Sequence, residues 1–278
     1  LEINNGKANR AKVNQNPVRS QKEILGLVKS VCFSPEDLDL VRGDPSERRS
    51  FLDQLLIQQS PRLAGVISDY ERALKQRNSL LKSRAPESSL RSWSEHLATF
   101  GGELIAGRIK LINEIEPLFQ IAYKNLSAKK LAKLGYKSSI PEPSAEKEEN
   151  RELMLKVIEE VKSQEIERGI SLVGPHRDDL ILNLGDHPVK GYASHGESWS
   201  IALALRLASY QLFINEGAKP ILILDDVFSE LDEGRREKLL EIADSAEQTF
   251  ITVAVENDLP KAIQGARFKV EMGKVVIL

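Results

Sequence analysis

A short apolar run that ends in two adjacent carboxylates is the feature that most constrains how this chain can fold. Ile221-Leu222-Ile223-Leu224 contains no polar residue. A continuous apolar run of this length is typical of a parallel strand that is buried on both faces. Because Asp225 and Asp226 follow at once, the sequence predicts a buried strand with two carboxylates at its carboxyl end.

Paired carboxylates in this position fit a site for a magnesium-bound nucleotide such as ATP. Mg²⁺ takes few hard oxygen ligands and keeps several waters, so Asp225 is the candidate Mg²⁺ ligand. Asp226 is the candidate catalytic residue, because a second carboxylate can orient or deprotonate an attacking water. The structural alternative is that both residues only form the turn after the strand.

The flanking sequence alternates between helical and strand patterns, which indicates an α/β fold with a parallel sheet. Between its two parts, apolar residues recur at helical spacing from Pro61 to about Gly135, which predicts a helical insertion. The predicted elements are a strand over 28–33, helices from Pro35 and from Ser46, the helical stretch over 61–135, a helix over 152–167, strands over 170–173 and 179–182, helices over 198–213 and 235–243, a strand over 250–253, and a hairpin that turns at Gly273.

Two polar loops carry further candidate residues. Ser194 and Gly196 precede the apolar helix, and the N–H groups and dipole of a helix N-terminus attract anions. This loop resembles the signature loop of ABC-type ATPases, and Ser229-Glu230-Leu231-Asp232 resembles their D-loop, which would place Asp232 beside the nucleotide. Both loops also fit helix caps, with Ser194 and Glu197 as a capping box. The order of the four motifs favours an ATPase.

Together these patterns predict an ABC-type ATPase head with a helical, short coiled-coil-like insertion lobe. Residues 1–57 and 169–278 are expected to form the head, and residues 58–168 the insertion. A very long coiled-coil arm, as in heads of the SMC type, is not expected, because the insertion spans only about a hundred residues and has no sustained heptads.

The charge of the chain restricts how it can bind nucleic acid. Its net charge is −2, so DNA binding requires a local basic patch. Two groups of basic residues fit either such a patch or a solvated face, and the sequence leaves both interpretations open. The first group is Arg42, Arg48 and Arg49, and the second, denser group is Arg72, Lys75, Arg77, Lys82, Arg84 and Arg91.

Other compositional features bear on location. No apolar run reaches the roughly 18 residues of a membrane span, so no membrane partner is expected. Cys32 is the only cysteine, which excludes an internal disulfide and favours a reducing, cytoplasmic compartment.

Three segments resemble motifs of the RecF family. The first contains Pro35-Glu36-Asp37, Gly43-Asp44-Pro45, Arg48-Arg49 and Phe51-Leu52-Asp53. The second is Gly174-Pro175-His176-Arg177-Asp178-Asp179, and the third runs from Asp225 to Asp232. The resemblance covers nearly the whole chain and is weakest over residues 84–150. It implies an ATPase that binds ATP and DNA, forms a homodimer on ATP, and helps to load recombinase at gaps with RecO and RecR partners.

The chain departs from the expected pattern in three ways. It contains no Gly-x-x-x-x-Gly-Lys-Ser/Thr phosphate-binding loop, which the family carries upstream of these motifs, so we expect a missing segment and no ATP hydrolysis by these residues alone. Asp226 stands where many ABC ATPases have Glu, which predicts slow hydrolysis. No switch histidine follows the D-loop, and Thr252 or Glu256 is expected near the γ-phosphate. The alternatives are another head of the SMC type or a non-catalytic scaffold that binds DNA or a partner.

Overall fold

The centre of the molecule is a three-stranded parallel sheet. In it, β7 (Ile221–Asp225) lies between β3 (Ser30–Phe33) and β8 (Thr249–Thr252). The apolar run of the sequence is therefore the middle strand of this sheet, and its side chains alternate between a buried and a partly exposed face. The structure is a computed structural model and describes residues 2–6, 9–127, 130–255, 259 and 263–278, without the side chains of residues 21, 22 and 230.

Helices and further strands surround this sheet. The helices are α1 (Leu38–Arg42), α2 (Pro45–Gln59), α3 (Leu63–Lys82), α4 (Glu87–Leu126), α5 (Lys147–Arg168), α6 (His195–Asn215) and α7 (Glu233–Ser245). A second sheet is antiparallel, with the order β4 (Ala132–Lys137), β5 (Asp179–Leu184) and β6 (His187–Pro188). Two antiparallel hairpins pair β1 (Lys12–Val13) with β2 (Asn16–Pro17) and β9 (Phe268–Glu271) with β10 (Lys274–Ile277).

Helix α6 is apolar on nearly every side because it is covered on nearly every side. The five residues from Ile201 to Leu205 have no exposed surface. The helix packs between strand β3 and helix α4, and a helix that is hydrophobic all round is normally a buried one. It thereby covers the face of the parallel sheet that carries Val31, Phe33, Leu222 and Leu224, all of them buried.

Helix α4 connects the head to the helical insertion. Its 40 residues span about 60 Å at 1.5 Å per residue. Leu97 and Ile105 pack with α3 and α5 in one apolar cluster, whereas Ile115 and Phe119 belong to the main core with α6. Near its middle Gly102 lets α5 approach, because a Cβ there would lie 2.6 Å from the carbonyl oxygen of Lys147.

The turn Gly174-Pro175-His176-Arg177-Asp178-Asp179 fastens these helices to the second sheet. Asp178 is buried and accepts hydrogen bonds from the hydroxyl of Tyr136 at 2.6 Å and from the main-chain N–H of Ser139 at 2.7 Å. Burial lowers the pKa of His176 to about 4, so at neutral pH its uncharged ring bonds to the hydroxyl of Tyr70 on α3. The turn is thus a structural junction.

Two of the predicted elements are wrong in this region. Residues 170–173 form no strand, because side chains occupy their main-chain groups: the N–H of Ser171 donates to Asn78 and that of Leu172 to Glu165, both at 2.7 Å. The predicted helical stretch runs to about Gly135, but residues 132–137 form β4, which pairs with β5. The predicted boundaries of the insertion at residues 58 and 168 remain a prediction. Strand β4 lies inside that range but pairs with β5, which belongs to the predicted head.

Of the two interpretations left open for Arg77, DNA contact is wrong. Only 2% of Arg77 is exposed, and its guanidinium lies between α3, α4 and α5. It donates to Glu165 at 2.6 Å, to Ser171 at 2.8 Å and to Ser94 at 2.9 Å. Every terminal nitrogen and the Nε of this group is therefore used inside the protein.

Arg77→Ala should destabilise the fold by about 3–5 kcal/mol, because it leaves the fully buried Glu165 carboxylate without its counter-charge. Arg72 on the same helix is the matched control. Its side chain is 68% exposed and meets Asp69 only at 3.5 Å, so Arg72→Ala should change the free energy of unfolding by less than about 1 kcal/mol. Urea denaturation of the two variants measures the difference, and equal midpoints would contradict it.

Candidate functional site

The carboxyl edge of the parallel sheet brings three of the predicted site residues together. Asp225 ends β7 and lies opposite Thr252, which ends β8. The hydroxyl of Thr252 donates to Oδ1 of Asp225. The main-chain N–H of Asp226 lies 3.2 Å from both the carbonyl oxygen and the hydroxyl of Thr252.

The chain turns sharply at Asp226. Its φ of 52° lies in the left-handed region, which Asp tolerates better than most residues. Its Oδ1 accepts a weak hydrogen bond from Ala254 at 3.4 Å, and its carbonyl oxygen accepts one from the hydroxyl of Ser229 at 3.2 Å. The turn therefore fixes the second carboxylate beside the first.

The donor set at this edge fits Mg²⁺. Asp225 is exposed, and its Oδ2 accepts no hydrogen bond within the described part of the chain, so a hard oxygen faces solvent. Mg²⁺ in nucleotide sites is usually held by one or two carboxylates together with waters and phosphate. Glu256, the alternative to Thr252 at this edge, lies outside the described residues.

The N-terminus of α6 forms a second group. Ser194 is its N-cap: the hydroxyl accepts from the N–H of Glu197 at 3.3 Å, and the Glu197 carboxylate accepts from the N–H of Ser194 at 2.9 Å. The predicted capping box is therefore present. Lys130, 2.8 Å away, is the main reason that the pKa of Glu197 falls to about 2, with the Ser194 hydrogen bonds adding to it.

Basic side chains surround this helix terminus. The guanidinium of Arg42 lies 3.0 Å from Nδ1 of His195, while the indole N–H of Trp199 donates to Nε2 of the same ring. The guanidinium of Arg235 lies 3.5 Å from the position that a Cβ on Gly196 would take. This positive charge reinforces the helix dipole as an attraction for anions. Sequence reasoning missed Lys130 and Arg235, because they are distant from the loop in the sequence.

The predicted D-loop links the two groups. It contains a 3-10 turn over Phe228–Glu230 and ends at Asp232, the N-cap of α7. The carboxylate of Asp232 accepts from the N–H of Arg235 at 3.0 Å and pairs with its guanidinium at 3.2 Å. Asp232 is thus a helix cap, and through Arg235 it also lies next to Gly196.

The basic candidates separate by burial. Arg48 is buried, binds Asp179 through two hydrogen bonds of 2.8 and 3.0 Å, and donates to main-chain oxygens, so the interpretation of Arg48 as a DNA contact is wrong. Arg49 is partly buried and donates to the carbonyl oxygen of Asp178 at 2.9 Å. Arg72 and Lys75 are exposed on α3.

Comparison with known proteins places the chain in a family. No protein-family model matches it, and none of the helices within the described ranges is long and apolar enough to span a bilayer. It is 50% identical over 287 residues to a DNA replication and repair protein RecF of Streptomyces avermitilis, covering 99% of this chain and 77% of that protein. The RecF of Kineococcus radiotolerans is 48% identical over 290 residues, covering 95% and 74%.

Solved structures agree with these relatives. A structure described as the recombination mediator protein RecF with ATP in the RecFOR pathway superposes with a TM-score of 0.86 at 28% identity, covering 97% of this chain and 72% of that one. The predicted α/β head of ABC type is therefore confirmed. Since about half of its residues are identical to relatives over three quarters of their length, this chain belongs to the RecF family of DNA replication and repair proteins.

Proposed function

We propose that this protein is an ATP-dependent DNA-binding protein of replication and recombinational repair, whose ATP-driven homodimer assists recombinase loading at gapped DNA together with RecO-type and RecR-type mediators. The observation that carries the proposal is the meeting of Asp225, Asp226 and Thr252 at the carboxyl edge of the parallel sheet. Open α/β sheets bind their ligands at this edge. The relatives described with ATP support the same ligand here.

The proposed ATPase needs a phosphate-binding loop. The 278 residues contain no such motif, so the activity is proposed for these residues joined to a phosphate-binding segment, which we call the full-length protein. Bound Mg²⁺ supplies positive charge to the phosphates. Asp225 holds that ion, and Asp226 orients or deprotonates the attacking water.

The N-terminus of α6 is proposed to act on nucleotide bound to the other subunit. Ser194 and Gly196 lie at the positively charged N-terminus of α6, where Gly196 adds no side chain, which suits a γ-phosphate. Asp232 is proposed to lie beside the same nucleotide, because Arg235 holds it next to this terminus. ATP would then join two subunits, and its hydrolysis would release them.

Replacing Asp226 by Asn in the full-length protein should nearly abolish ATP hydrolysis and leave ATP binding intact. The change removes the charge that orients or deprotonates water but keeps the size of the side chain. Steady-state phosphate release and binding of a fluorescent ATP analogue measure the two properties. Unchanged turnover would show that Asp226 is not the catalytic residue.

Ser194→Arg in the full-length protein should block dimerisation on ATP while a monomer still binds ATP, because the long side chain fills the space for the phosphate. A role limited to capping predicts only a loss of about 0.5–2 kcal/mol in stability. Ser194→Thr, which keeps the hydroxyl, is the matched control and should dimerise. Light scattering with ATP reports the dimer and thermal melting reports the cap. A variant that melts at a lower temperature yet dimerises would contradict the phosphate role.

Arg72 and Lys75 remain the proposed DNA contacts on α3, where both side chains are exposed. Changing both to Gln should weaken duplex binding and make the negative slope of log K against log salt shallower by about 1.8, because each lost phosphate contact contributes about 0.9. Lys219→Gln is the control. Lys219 is also exposed, but it lies outside α3, just before the N-terminal end of β7. If the double variant keeps the slope of the control, the cluster is a solvated face.

A further inference from the structure

Thr252 occupies an unusual position at the carboxylate edge, because one hydroxyl contacts both aspartates. It donates to Oδ1 of Asp225 and lies 3.2 Å from the main-chain N–H of Asp226, from which it accepts. A threonine hydroxyl has a single hydrogen and two lone pairs. In this arrangement the hydrogen is already given to Asp225.

This hydrogen-bond pattern bears on what Thr252 can bind. The oxygens of a γ-phosphate mainly accept hydrogen bonds, and the one hydrogen of Thr252 points to a carboxylate. We infer that Thr252 is a positioning residue that sets the two aspartates, and is not itself a contact of the nucleotide. The inference rests on the proposed function, because it assigns Thr252 a role in the same Mg²⁺–ATP site.

For Asp225, the hydrogen bond fixes the orientation of the carboxylate. With Oδ1 held by Thr252, Oδ2 remains for Mg²⁺, which is proposed to bind at this exposed strand end. Hydrogen bonds to an ionised acceptor are stronger than neutral ones. Without the hydroxyl, the Asp225 side chain is free to rotate. Mg²⁺ binding then carries the conformational-entropy cost of ordering it.

For Asp226, the same residue supports an uncommon backbone conformation. The left-handed φ of 52° places the side chain out of line with β7, and such conformations persist where the surroundings hold them. Here the N–H of Asp226 is held by the carbonyl oxygen and the hydroxyl of Thr252. The end of β8 thus holds, by hydrogen bonds, the turn that carries the Asp226 carboxylate.

Thr249, on the same strand, offers a matched comparison. Its hydroxyl donates to the carbonyl oxygen of Ala243 at 2.8 Å and contacts neither aspartate. A valine at either position keeps the shape and the β-branched side chain and removes only the hydroxyl. The two substitutions therefore separate a role at the carboxylates from a general role in the strand.

The experiment uses the full-length protein with Thr252→Val, Thr252→Ser and Thr249→Val. Binding of a fluorescent ATP analogue is titrated with Mg²⁺, and melting is measured without Mg²⁺ or nucleotide. Thr252→Val should need about tenfold more Mg²⁺ for half-maximal binding, as expected for one lost hydrogen bond to a charged group, with little change in melting. Thr252→Ser and Thr249→Val should both match the wild type.

The inference is overturned if Thr252→Val binds with the Mg²⁺ dependence of the wild type. It is also overturned if Thr252→Ser needs as much extra Mg²⁺ as is expected of Thr252→Val, since serine keeps the hydroxyl. The serine variant is therefore the test that remains if the valine variant does not fold. If the wild type itself binds ATP with no dependence on Mg²⁺, the proposed function fails and the inference with it. Normal wild-type binding beside an unaffected Thr252→Val removes the inference alone.

Discussion

The arrangement of the molecule depends on buried arginines that are paired with carboxylates. A buried ion pair adds little net stability, because the loss of hydration offsets the attraction, but a buried charge without its partner is costly. Such pairs therefore restrict the ways in which helices and sheets can dock. In this protein they join α3 to α5, α4 to α2, and α2 to β5. The pairs are Arg77 with Glu165, Arg108 with Asp53, and Arg48 with Asp179.

Arg108 shows how one such pair organises a larger region. It is 2% exposed, binds both oxygens of Asp53 at 2.9 Å, and donates to the carbonyl oxygen of Pro175 at 2.8 Å. One side chain of α4 thereby fixes α2 and the turn before β5. The C-terminal half of α4 packs against α6. Helix α4 therefore belongs to the insertion and also supports α6, whose N-terminus is part of the candidate site.

The head could be predicted from the sequence because its signals are local. The apolar run of β7 and its two aspartates are adjacent in the chain, and a buried strand that ends in a turn needs no distant partner to be recognised. The failures arose where distant groups decide. Ile170 to Val173 has strand-forming residues, yet Asn78 and Glu165 bind its main chain. In β4, Ala132, Leu134 and Tyr136 alternate with Lys133, Gly135 and Lys137, but the helical pattern before them concealed this.

The basic candidates failed for a related reason. An arginine in a helical pattern looks the same in sequence whether it faces DNA or a buried carboxylate. Arg77 is two residues from Lys75 and lies on the opposite side of α3, and only the position of Glu165, 88 residues away, shows which interpretation holds. Charge clusters in sequence therefore predict a basic segment but not a basic surface.

The alternatives of cap and phosphate site at Ser194 and Asp232 need not exclude each other. The Ser194 cap uses the N–H of Glu197, the third residue of α6. The N–H of Gly196 donates to none of the described residues, and the helix dipole remains whichever donor the cap occupies. Capping also holds Ser194 in an extended backbone conformation, which leaves the N–H of Gly196 at the open end of the helix. A well-made cap at this helix is therefore a condition for a phosphate site, so the capping box observed here is no argument against one.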